Sequence, residues 1–101
     1  MAAYTFEQRV VFDDALRVVP GVLACKQRQD HEGARELVRG VMITGVQQGF
    51  TSCMIWSIMF SAAMHWFMQA TFRISKLSGK EFEEVTSEMA MLAALWETDD
   101  A

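Results

Sequence analysis

The chain has 101 residues, 51% hydrophobic and 22% charged, with a net charge of −4 at neutral pH. These values describe one folded domain and exclude a disordered chain. A single proline and six glycines exclude a fold of many short strands joined by turns. A sustained basic surface for nucleic acid is also missing. Arg73, Lys76 and Lys80 are followed by a segment, 81–101, that carries Glu81, Glu83, Glu84, Glu88, Glu97, Asp99 and Asp100 and no Lys or Arg.

The opening MAAYTFEQRVV has no basic stretch leading into an apolar one, so no secretory signal is expected there. Thr5-Phe6-Glu7-Gln8 reads as a capping box, in which the Thr hydroxyl and the Gln side chain satisfy orphan amides at a helix start. Tyr4, Val11, Phe12, Ala15, Leu16 and Val19 then share one broad helical face. Pro20 has no amide hydrogen and disfavours helical geometry at Val19. The first helix is therefore expected to end or kink there, with a short helical piece through Cys25 to Arg28.

Asp30 is placed to cap the second helix, with Glu32 in its first turn. Ala34, Leu37, Val38, Val41, Met42 and Gly45 follow the spacing of a buried stripe. Gly45 and Gly49 lie one turn apart and could admit a second helix at close range. Alternatively, Gly49 ends this helix in a left-handed conformation, with Thr51 or Ser52 capping the next.

From Val41 to Phe72 there is no Asp, Glu, Lys or Arg. Residues 52–76 are expected to form a central helix, ended by Ser78-Gly79. Cys53 to Phe72 has the length of a membrane span. Its content argues against one: Ser57, Ser61, His65, Gln69 and Thr71 are polar, and neither leucine nor valine is present. An apolar helix of this kind suits a protein interior. Ile55, Met59, Ala62, Trp66 and Ala70 cover one side, and Cys53, Trp56, Phe60, Met64 and Phe67 cover another. A domain this small has too few other helices to wrap both sides, which leaves an interface as the expected use of the remainder.

Ser78 followed by Glu81 resembles a second capping box. Phe82, Val85, Met89, Leu92 and Trp96 then recur as the seam of a last helix. Met91 and Leu95 lie off that seam beside Glu84 and Glu88. Residues 97–101 form a short acidic tail.

Catalytic chemistry has little to draw on. His31 sits in a charged segment, and His65 in the apolar run, where a buried, hydrogen-bonded histidine is the plain reading. Cys53 is more than three helical turns from His65, too far for one helix to pair them. Cys25 and Cys53 lack metal or redox spacing, which points to free thiols in the cytoplasm. No phosphate-binding glycine loop is present. Met64, His65 and Met68 offer soft ligands suited to Cu(I), but on a helix His65 points about 100 degrees from Met64.

The expected architecture is a single all-α domain over 1–101. It would be a small bundle of four to five helices around the 52–76 helix, completed by dimerisation. The expected function is a non-enzymatic protein-interaction module that needs no cofactor or metal. Regulators, assembly factors and small inhibitors such as phages encode all belong to that class. The partner would be a second copy, another protein or both, and nucleic acid is not expected directly. The contact residues expected are Trp56, Met59, Met64, Trp66, Met91, Leu95 and Trp96, with Glu84 and Glu88 adding steering charge. The alternatives are a small membrane-associated protein and a copper-binding or small-molecule-binding helical protein.

Overall fold

A computed structural model describes residues 4–99, with the backbone alone for 96–99. Every element among the described residues is helical: α1 (Phe6–Gln27), α2 (His31–Gln47), α3 (Ser52–Ser78) and α4 (Phe82–Asp99). The contacts fall into two compact units that part between Trp66 and Phe67. The first holds α1, α2 and the first half of α3. The second holds the rest of α3 and α4.

In the first unit the caps follow local chemistry. The Thr5 hydroxyl accepts from the Gln8 amide at 3.2 Å, and the Gln8 side chain accepts from the Thr5 amide at 2.9 Å, closing the capping box. The Asp30 carboxylate caps α2 through the Gly33 amide at 2.9 Å.

Helix α1 runs unbroken through Pro20, so four helices form where four to five were expected. A proline at position 20 takes away the amide that would bond the Leu16 carbonyl one turn earlier. The Trp66 indole N–H donates to that same Leu16 oxygen at 2.8 Å. The acceptor that proline orphans is thus filled from α3, and the helix continues.

The two readings of Gly45 and Gly49 both hold, one at each position. Gly49 has φ +86°. Its amide bonds Val46 and the following Phe50 amide bonds Gly45, the paired pattern that closes a helix through a left-handed residue. At Gly45 any Cβ would fall inside van der Waals contact with the Ile55 side chain, so α3 crosses α2 there at a distance only glycine permits. Thr51 then caps α3, its hydroxyl accepting from the Met54 amide at 3.3 Å.

Val11, Ala15, Val41, Ile55, Ile58, Met59 and Ala62 form the core of this unit. Phe12, Leu16, Val19, Val38 and Met42 pack against it half-buried. Burial on this scale is the main stabilising term of a small domain. One polar tie joins α1 to α2, the Thr44 hydroxyl donating to Asp14 at 3.1 Å.

The second unit is sparser. Thr71 and Val85 are its buried side chains among the described residues, and the Thr71 hydroxyl donates to the Phe67 carbonyl at 2.8 Å. The rings of Phe72 and Phe82 meet at 4.7 Å. The capping box expected at Ser78 does not form. Ser78 ends α3, its hydroxyl accepts from the Lys80 amide, and the first turn of α4 bonds back to the Glu81 carbonyl instead. Gly79, at φ +73°, makes the reversal and pushes the next helix start past Ser78. Of the described side chains on the seam expected along α4, Val85 is enclosed, Phe82 and Met89 are half-buried and Leu92 is exposed.

Candidate protein-interaction surface

The side of α3 that faces the core is set by helical spacing. Ile55, Ile58, Met59 and Ala62 recur at steps of three, one and three and are all buried. The opposite side of the same segment carries Cys53, Trp56, Phe60 and Met64, again at steps of three and four, and all are exposed. Trp56 is 53% exposed, Phe60 67% and Met64 41%. Ser57 and Ala63 lie exposed between them. No charged residue interrupts this face, because none occurs between Val41 and Phe72.

A single exposed apolar residue needs no explanation, but a contiguous stripe does. These three large side chains alone leave roughly 300 Å² accessible, taking about 200 Å² for each when fully exposed. That is at the lower end of the largest apolar patch on a typical monomer, a patch that is often functional.

The residues expected at the contact surface distribute unevenly. Trp56 and Met64 lie on the exposed face of α3. Met59 does not: its position between Ile55 and Ala62 turns it into the core of the first unit. Trp66 is partly exposed, but its indole N–H is committed to the Leu16 carbonyl, so it ties α3 to α1. His65 is exposed instead of buried, its ring set edge-on to Trp66 at 5.8 Å. Phe60 carries the largest exposure on the face. Its spacing from Trp56 and Met64 was visible in the sequence, but only the burial of the opposite side ranks it among the contact residues.

In the second unit, Met91 and Leu95 are exposed on α4, one turn apart, with Leu92 exposed beside them. Glu84 and Glu88 precede them on the same stripe. Glu88 pairs with the Lys80 ammonium across the turn, and this hydrogen bond and the attraction of the carboxylate raise the Lys80 pKa. The Trp96 side chain and the tail beyond Asp99 lie outside the described residues.

Chemistry elsewhere is thin. Among the described residues, no group of three or more His, Cys, Asp or Glu could hold a metal ion, and no buried side-chain nitrogen or oxygen is without a hydrogen-bond partner. Cys25 is buried and Cys53 exposed, and neither is bridged. No helix among the described residues is long and apolar enough to cross a membrane. No protein family, curated protein or solved structure significantly matches the chain.

Proposed function

We propose that this chain is a non-enzymatic protein-interaction module that binds through the uncharged face of α3. The observation that carries the reading is the exposure of Trp56, Phe60 and Met64 in one stripe opposite a well-filled core. Tryptophan, phenylalanine and methionine are the residue types that concentrate in the cores of protein interfaces, and anchors of this kind supply most of the binding energy. Association would complete a helical bundle around α3, with a second copy or another protein contributing the missing layer. Met91 and Leu95 add a smaller apolar contact, and the acidic residues of α4 steer an approaching partner. On this reading the protein acts in the cytoplasm as a regulator, assembly factor or inhibitor, where Cys25 and Cys53 stay reduced.

The test compares the native chain with Phe60→Glu in detergent-free buffer. The native chain is expected either to have a mass above 11.4 kDa by light scattering or, as a monomer, to bind the apolar dye ANS. Phe60→Glu is expected to abolish whichever signal appears while leaving helical circular dichroism unchanged, since Phe60 is outside the core. A native monomer that binds no dye and is indifferent to the substitution would refute the reading.

A further inference from the structure

We draw no further inference here: the strongest candidate, the uncharged face of α3 that Trp56, Phe60 and Met64 leave open opposite the core of the first unit, is an unpartnered apolar face, and nothing in the structure shows what covers it.

Discussion

The first half of α3 and the described part of α4 both carry apolar stripes, yet the stripes end in different states. Along α3, Ile55, Ile58, Met59 and Ala62, at steps of three, one and three, enter a core supplied by two other helices. Along α4, Val85 alone is enclosed among the described side chains, and Met91, Leu92 and Leu95 are left in the open. The difference lies in what each helix has to pack against. In the first unit α1 and α2 are joined by a tight turn and pack against each other, with Gly45 opening room for Ile55. The second unit consists, among the described residues, of two helical segments totalling fewer than the ~40 residues that sustain a core alone. Stability should therefore concentrate in the first unit, and substitutions should sort accordingly.

The largest effect is expected from Ile55→Ala. Ile55 is fully buried where α2 and α3 cross, so truncation leaves a cavity costing about 3–4 kcal/mol. Leu92→Ala, a similar deletion on exposed α4, is expected to cost within about 0.5 kcal/mol in the monomer. Denaturant unfolding at one fixed protein concentration checks both, since any association adds its own stabilisation. Equal losses at the two positions would break the contrast and show that Leu92 is covered in solution.

The crossing itself supplies the next test. Gly45→Ala adds one methyl, which gains helix propensity but meets a side chain with nowhere to move. A net loss of about 1–2 kcal/mol is expected. In an Ile55→Ala background the same substitution should become neutral or stabilising, because the obstructing atoms are gone and the cavity is partly filled. Simple additivity of the two would show that the helices do not meet at this pair.

A smaller effect is expected where Trp66 bonds the Leu16 carbonyl. Trp66→Phe removes the donor and should cost about 1 kcal/mol, since water can reach a partly exposed acceptor. Pro20→Ala restores a backbone amide to the same carbonyl and should stabilise the helix by about 1–3 kcal/mol. In the Pro20→Ala background the Trp66→Phe penalty should largely vanish. A full double-mutant cycle read by thermal unfolding measures that coupling, and a coupling of zero would separate the proline from the indole.

This pair also marks where the sequence stops being legible. Signals confined to a few neighbouring residues were readable: the Thr5–Gln8 box, the Asp30 cap, the left-handed Gly49 and the two sides of α3 all follow from local spacing and side-chain chemistry. What failed depended on distant or competing partners. Pro20 reads as a break until a donor from position 66 is known to reach Leu16. Ser78 and Glu81 have capping spacing, but the left-handed Gly79 between them takes Ser78 into the end of α3. Met59 and Phe60 are chemically alike as interface candidates, and only the placement of α1 and α2 decides which of them is core. The burial expected for His65 and Leu92 failed for the same reason, since periodicity gives a face but not what covers it.

The smallest effect is expected at the ion pair of the second unit. Lys80 has its pKa raised above the ordinary 10.5, first by its hydrogen bond to Glu88 and then by the attraction of that carboxylate. A raised lysine pKa means that the folded state holds its proton more tightly than the unfolded chain. The stabilisation is therefore complete below about pH 10.5 and is lost as pH climbs through the folded value. Both side chains are about half exposed, so solvent and salt screen the pair. Glu88→Gln should return the Lys80 titration, followed by the shift of its Cε resonance, toward the ordinary value. It should leave unfolding at neutral pH and physiological salt unchanged within error. A clear loss of stability at neutral pH would mean that the pair is shielded from water, and that the second unit has a covering layer that its exposed Met91 and Leu95 do not suggest.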